Sequence, residues 1–187
     1  MAVPVDGSVE RSWYAIYTRP RFEKKVEKEL SERQIECFLP VVSRLKCWSD
    51  RKKRVDEILF PSYVFVRVTE RHRHEALTPL GVVRLISFSG EPAKIPNIQI
   101  EAVKRILQAG YDPVVCPELT RGAAVEIVSG SLLGLRGIVN EVRGRYHLSI
   151  FIDGIRQSLS VNVEAQHLKV IDSSKLNSAF LRQFTTV

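Results

Sequence analysis

Alternating side chains predict that a β-strand follows Pro61 and forms the centre of the first part of the chain. Proline has no amide hydrogen to donate to a ladder, so the strand begins after it. One face of this strand carries β-branched Val64, Val66 and Val68, which suit a core. The other face carries two aromatic residues and an arginine, Tyr63, Phe65 and Arg67. This second face fits a partner-binding surface, and it equally fits a central strand covered by the protein's own helix.

Two amphipathic helices and further strands are predicted around this strand. A strand over 13–17 precedes a helix that Thr18 caps, in which apolar side chains at every fourth position form the buried stripe. A second helix begins at Asn97, a good N-cap residue, and ends before Gly110. The remaining strands are predicted over 35–42 and 82–88. This order predicts an α+β protein whose N-terminal part is an α/β sandwich, an antiparallel sheet with flanking helices.

The pattern changes after residues 111–119, which contain two prolines and show no periodicity. Short apolar stretches separated by glycine-containing turns follow, at 124–128, 137–142, 146–151, 158–161 and 167–171. Regular short strands with glycine turns predict a small five-stranded β-barrel. The chain therefore divides into a flexible tail at 1–11, a first domain at 12–110, a linker at 111–119, a barrel domain at 120–172 and a C-terminal tail at 173–187.

A net charge of +7 on 187 residues favours an acidic partner, with nucleic acid before a membrane surface, although an ordinary basic soluble protein has the same balance. Residues 51–54 form a short basic run that is predicted to lie in a hairpin tip or loop. The helix after Thr18 interleaves its lysines with glutamates, which is typical of a solvated helix surface. Its start is different, because a cluster at the strand-to-helix junction has one glutamate among four cations, Arg19, Arg21, Lys24 and Lys25.

Several classes of protein are disfavoured by the sequence. No apolar run reaches the roughly 18 residues that a membrane span requires, and no signal peptide is visible, so a cytoplasmic protein is expected. Three cysteines at wide spacing fit neither a disulfide framework nor a zinc site. His72 and His74 could ligate a metal from a strand, but no further ligands complete a set, and a short helix over 72–77 is favoured instead. Aspartates are scattered and no nucleophile–base motif stands out, so neither a catalytic site nor a cofactor is expected.

Several short motifs together resemble the NusG family of transcription elongation factors. Its NGN domain is matched by Trp13-Tyr14 and by residues 23–26, 60–66 and 79–82. Its KOW domain, an SH3-like barrel, is matched by residues 122–127, 129–130 and 134–139. Residues 36–40 and 59–63 resemble the specialised RfaH and UpxY branches of the family, and the housekeeping factor tends to have glycine where this chain has Ser62.

The resemblance implies a polymerase-binding surface on the first domain. In the family, an apolar depression grips the clamp helices of the largest RNA polymerase subunit, and the matching positions are Tyr17, Phe60, Pro61, Tyr63, Phe65 and Phe88. A second contact, across the polymerase cleft, is implied at His72, Arg73 and His74, where the first residue alone matches the family motif. Contacts to the non-template DNA strand are implied at Arg19 and Lys25, to which we add Arg21 and Lys24 on charge.

The resemblance also implies what the two domains do. Closing the clamp would favour the elongating polymerase over the paused one, without catalysis, and the factor would act as a monomer. The KOW domain would recruit a small-subunit ribosomal protein or a termination factor. The candidate contact residues are Leu132, Leu133 and Leu135, which would alternatively plug the end of the barrel. In RfaH the second domain can instead form a helical hairpin, whereas the β-branched residues and glycine turns here favour the barrel.

A second class fits the KOW resemblance, namely an RNA-binding ribosomal or ribosome-assembly protein. That function would concentrate basic charge on the barrel. The densest basic clusters lie instead in the first domain, at 19–28 and 51–54, which favours the transcription factor.

Overall fold

The structure is a computed structural model that describes residues 10–47, 52–116, 122–142 and 144–172. The predicted C-terminal tail at 173–187 and residues 1–9 of the predicted N-terminal tail lie outside these ranges. The contacts group the chain into two compact units. The first contains the described residues of Met1–Leu39 and Pro61–Asn97, and the second contains those of Pro40–Phe60 and Ile98–Val187. Helices and strands are mixed in the chain, which confirms the α+β class.

The first unit is built on a four-stranded antiparallel sheet. Its strands, in spatial order, are β2 (Glu36–Phe38), β5 (Tyr63–Val68), β1 (Ser12–Thr18) and β6 (Val82–Leu85). The strand predicted after Pro61 is therefore central, paired on both sides. Helix α1 (Glu23–Glu32) follows β1 and buries Val26 and Leu30 completely. A short ribbon of β7 (Ser87–Phe88) and β8 (Glu91–Pro92) completes the strands of this unit.

Two local predictions in this unit differ from the structure. Thr18 is the last residue of β1 rather than a helix cap, because α1 begins at Glu23 after an N-cap residue, Phe22, that makes no side-chain capping bond. Where a helix was predicted over 72–77, the structure has a turn followed by a single 3-10 turn at Glu75–Leu77. The backbone hydrogen bonds here join residues three apart, from Glu75 to His72 and from Leu77 to His74, which is the pattern of 3-10 turns rather than of an α-helix.

The second unit contains a six-stranded antiparallel sheet. Its strands, in spatial order, are β14 (Leu168–Val170), β10 (Ala123–Ile127), β11 (Arg136–Val142), β12 (Arg145–Ile152), β13 (Gln157–Val163) and β9 (Val114–Cys116). All five strands expected from the short apolar stretches are present. The sixth strand, β9, lies in the predicted linker and pairs with β13. The order of pairings is that of an open sheet, and closure into a barrel stays a prediction.

The second unit also includes the hairpin of β3 (Val41–Cys47) and β4 (Lys52–Ile58), and helix α2 (Asn97–Gln108) from Ile98 onward. This grouping differs from the predicted boundary at 111–119. Side-chain hydrogen bonds connect both the hairpin and α2 to residues that follow position 110. Arg44 of the hairpin donates to Asp112, and Gln99 of α2 accepts from the backbone amide of Asp153.

Candidate functional site

A row of side chains crosses three strands of the first sheet. Tyr17 of β1 lies opposite Tyr63 of β5, and their rings meet edge to face with centroids 5.5 Å apart. On its other side Tyr17 lies opposite Arg84 of β6, whose guanidinium is 5.9 Å from the tyrosine ring centroid. Directly opposite residues of an antiparallel sheet share a face. We call Tyr63, Tyr17 and Arg84 the aromatic row; both tyrosines are half-buried and the arginine is exposed.

The turn before β5 holds Tyr63 in place. Ser62 has a φ of 66°, in the left-handed region where a side chain is strained. Its backbone amide donates a 2.8 Å hydrogen bond to the Oε1 of Glu23, and its carbonyl accepts another 2.8 Å bond from the amide of Thr18. Glu23 is buried in the first turn of α1. The start of the helix and the start of β5 are therefore joined by a carboxylate.

The basic cluster lies at the adjacent junction between β1 and α1. The backbone amide of Arg19 donates to the carbonyl of Gly81 at 2.8 Å, which fixes the end of β1. Gly81 has a φ of 103°, and a Cβ at that position would overlap the ring of Phe22. All four predicted cations, Arg19, Arg21, Lys24 and Lys25, are exposed. Within the described residues none of the four forms an ion pair with a carboxylate, so their charge faces solvent.

Two aromatic residues predicted to contact the polymerase are inaccessible. Phe60 and Phe65 are each 0% exposed. Phe65 stacks on Phe38 of the neighbouring strand, with ring centroids 6.3 Å apart. The second face of β5 is thus partly covered by the protein itself, and Phe65 is not accessible to a partner. Pro61 is exposed and Phe88 is 44% exposed, so both are accessible.

The segment 72–74, implied as a second polymerase contact, makes local hydrogen bonds. The Nδ1 of His72 is 2.8 Å from the Oγ1 of Thr69, and the Nδ1 of His74 is 2.9 Å from the carbonyl oxygen of Arg71. Arg73 donates to the carbonyl of Glu70 and lies over the ring of Tyr14. Both histidines are exposed, and the role of the segment in bridging the polymerase stays a prediction.

The three leucines predicted as a KOW contact divide into two groups. Leu132 and Leu135 are 2% and 4% exposed, which is the packing expected if they plug the end of a barrel. Leu133 is 57% exposed. Arg105 of α2 donates from its Nη2 to the carbonyl oxygens of Ser131 and Leu133, at 3.2 and 2.7 Å, and so holds this turn.

The residues suited to metal or redox chemistry are dispersed. In the described ranges no group of three or more histidine, cysteine or acidic side chains is placed to hold a metal ion. All three cysteines are free, and burial raises the pKa of the Cys37 thiol, whose Sγ donates to the carbonyl of Glu27. No helix in the described part of the chain combines the length and the hydropathy that a membrane span requires.

Two features of potential function were missed from the sequence. Arg84 stands alone in an apolar strand, and the register that places it beside Tyr17 is set by pairing rather than by a motif. A cavity of about 590 Å³ in the second unit is lined by residues from several separate segments of the chain, among them Tyr111, Tyr146 and His167. No local sequence signal connects such distant positions.

Comparisons with known proteins agree with the motifs. A family model described as "Transcription termination factor nusG" matches residues 11–104, which is half of the chain. The transcription termination/antitermination proteins NusG of Staphylococcus epidermidis and Staphylococcus aureus are each 25% identical over 174 residues, 85% of this chain and 95% of the relative. A solved structure described as "Domain interaction in Thermotoga maritima NusG" is 21% identical, with a TM-score of 0.49, and the match covers 89% of this chain and 100% of that one. Assignment to the RfaH or UpxY branch stays a prediction. The chain belongs to the NusG family of transcription termination and antitermination factors.

Proposed function

We propose that this chain is an elongation and antitermination factor that binds the clamp helices of the largest RNA polymerase subunit through its aromatic row. The observation that carries the proposal is the half-exposed pair Tyr17 and Tyr63, which lies inside the segment that the family model matches. Partly exposed aromatic residues beside an arginine are enriched at binding hot spots. Pro61 and Phe88 are also exposed and would offer further apolar contacts to a helix.

Binding at this surface would act on transcription by a shift of populations. A factor that binds the elongating polymerase better than the paused one favours elongation in proportion to that difference in affinity. The basic cluster from Arg19 to Lys25 would contact the phosphates of the non-template strand. Such contacts depend on salt, because bound counterions are released, and phosphate contacts alone carry no base specificity.

The second unit would recruit a further partner, a small-subunit ribosomal protein or a termination factor. Of the three predicted contact residues, Leu133 has the exposure that direct contact requires. Leu132 and Leu135 would shape the turn from inside. The factor would work as a monomer in the cytoplasm, where both partners are found.

The balance of charge supports this function over that of an RNA-binding ribosomal protein. Residues 12–110 contain 19 lysines and arginines against 12 acidic residues. Residues 120–172 contain six against five. A KOW domain that binds RNA through its own surface would carry a larger excess of cations.

Replacing Tyr63 tests the polymerase-binding surface. We expect Tyr63→Ala in the full chain to weaken binding to core RNA polymerase by about 1–3 kcal/mol, because a partly buried aromatic anchor is lost. At 1.4 kcal/mol per tenfold change, this is roughly a 5- to 150-fold rise in Kd. Binding is measured by fluorescence anisotropy of the labelled chain titrated with polymerase.

Tyr146→Ala is the matched control, because this tyrosine is also half-buried but belongs to the second unit. It should leave the affinity for polymerase unchanged. A polymerase that lacks the clamp helices should lose binding to the wild-type chain. Equal affinity of wild type and Tyr63→Ala, or undiminished binding to the clamp-deleted enzyme, would remove this surface from the proposal.

A further inference from the structure

The hairpin of β3 and β4 concentrates cations at its distal end. Four exposed cations lie at the distal ends of the two described strands: Lys46, Lys52, Lys53 and Arg54. Lys46 pairs with Glu57 at 3.1 Å. No ion pair to an acidic side chain of the described chain is formed by Lys52, Lys53 or Arg54. Within the described residues, three charges at this end therefore have no carboxylate partner.

The register of the hairpin puts like charges opposite each other. Lys46 of β3 is directly opposite Lys53 of β4, so both side chains extend from one face of the ribbon. Arg54 and Lys52 extend from the other face, opposite Leu45 and Cys47. Like charges at directly opposite positions destabilise a sheet. A ribbon with cations on both faces is therefore suited to a partner that surrounds it with negative charge.

Hydrogen bonds hold the proximal end of the hairpin, away from the charged end. Arg44 donates to the Oε2 of Glu57 and the Oδ1 of Asp112, each at 2.7 Å, and to the carbonyl of Pro113 at 2.6 Å. The hydrogen bonds that Glu57 accepts from Arg44 and from Lys46 hold the pKa of its carboxyl below the usual range. The amide of Leu59 closes the base on the carbonyl of Pro40 at 2.9 Å.

We propose that the distal β3–β4 ribbon binds double-stranded DNA, with Lys52, Lys53 and Arg54 on the phosphates that border the major groove. The major groove of B-form DNA is about 12 Å wide and admits a two-stranded ribbon. Phosphates lie on both sides of a ribbon in that groove, which matches cations on both of its faces. The major groove of A-form RNA is too narrow for side chains to enter, so duplex RNA fits less well.

This site is separate from those of the proposed function. It uses neither the aromatic row nor the basic cluster at the β1–α1 junction, and it requires a duplex rather than a single strand. A membrane surface is a poorer match, because Leu45 is the single large apolar side chain exposed in the described part of the hairpin.

Neutralising the ribbon tests the proposal in the full chain. Binding to a fluorescein-labelled 20-base-pair DNA duplex is measured by anisotropy between about 50 and 200 mM salt. For the variant Lys52→Gln, Lys53→Gln and Arg54→Gln, we expect the slope of log K against log salt to fall in magnitude by about 3, roughly one per lost phosphate contact. At the lowest salt we expect the affinity to fall at least about tenfold.

A control variant removes the same charge elsewhere. Lys28→Gln, Lys94→Gln and Lys169→Gln change three exposed cations that lie outside the hairpin. This variant should keep most of the affinity for duplex DNA, and both variants should keep the affinity of the wild type for polymerase. Equal losses in the two variants would show non-specific attraction and overturn the proposal. So would an unchanged slope in the ribbon variant, or binding by the wild type that favours duplex RNA or single-stranded DNA.

Cys47 offers a readout that needs no change to the charges. Its side chain is exposed and lies opposite Lys52 in the ribbon. We expect a saturating DNA duplex to slow the alkylation of Cys47 by iodoacetamide several-fold in the wild-type chain, followed by mass spectrometry of the peptide. An alkylation rate that duplex DNA leaves unchanged would place the DNA elsewhere and overturn the proposal.

Discussion

Ser62 has a left-handed backbone conformation that is strained for any residue with a side chain. A non-glycine residue in the left-handed region costs about 1–3 kcal/mol, whereas the extra freedom of glycine in the unfolded chain costs about 0.4–1 kcal/mol. The strain at a φ of 66° is the larger effect. We therefore expect Ser62→Gly to raise the free energy of unfolding by about 1 kcal/mol, measured by urea denaturation.

A serine in ordinary extended backbone provides the control for this change. Ser43 is exposed in β3, where glycine weakens a strand. Ser43→Gly should lower the free energy of unfolding by up to about 1 kcal/mol. If Ser62→Gly lowered it as well, the strain at position 62 would be smaller than the entropy that serine saves.

At the scale of elements, the bond from Ser62 to Glu23 connects the start of α1 with the start of β5. The buried amide of Ser62 has the Oε1 of Glu23 as its acceptor, at 2.8 Å. We expect Glu23→Ala to lower the free energy of unfolding by about 1–3 kcal/mol, because the amide then stays buried without a partner. Glu23→Gln keeps an acceptor oxygen and should recover much of this loss. Equal urea midpoints for the two variants would assign the effect to the charge near the helix start instead.

The elements themselves were largely predictable from the sequence. The buried stripe of α1 at Val26 and Leu30 follows helical spacing, and all five strands predicted after residue 120 follow from short apolar stretches between glycine turns. How much of the second face of β5 is exposed was not predictable. Alternation separates Phe65 from the valines, but it does not reveal that Phe38 of a neighbouring strand covers it. Strand β9 was missed because prolines on both sides gave its three residues the pattern of a linker.

The candidate site was predictable only where it depends on the local pattern of a single strand. Tyr17 and Tyr63 each stand in a strand that the pattern identifies, and their cross-strand contact makes them one surface. Arg84 joins that surface through its register with Tyr17, and Lys46 lies opposite Lys53 through the register of β3 with β4. Strand register depends on contacts between distant segments, so a local reading of the chain does not supply it.

At the scale of the whole molecule, one buried carboxylate makes stability depend on pH. Both carboxylate oxygens of Asp153 are buried and have no hydrogen-bond partner within the described residues. Burial raises the pKa of Asp153, and the side chain of Gln99 opposes part of this shift. A raised pKa means that the folded state holds the proton more tightly than the unfolded state. The contribution of this group to stability is therefore complete below its ordinary pKa of about 3.9, and it is lost as the pH rises through the folded value.

Removing the charge from Asp153 should remove this dependence. We expect Asp153→Asn to have a higher free energy of unfolding than the wild type at pH 7, because no charge has to be buried, and the difference should shrink as the pH falls toward about 4. Urea denaturation of both proteins at several pH values measures it. Asp56→Asn changes an exposed aspartate and should stay within about 0.5 kcal/mol of the wild type at each pH. A variant at position 153 that is less stable than the wild type at pH 7 would mean that the carboxylate has a partner that stabilises its charge. Because Asp153 lies where the sheet of the second unit meets Gln99 of α2, such a partner would then be part of what holds these two elements together.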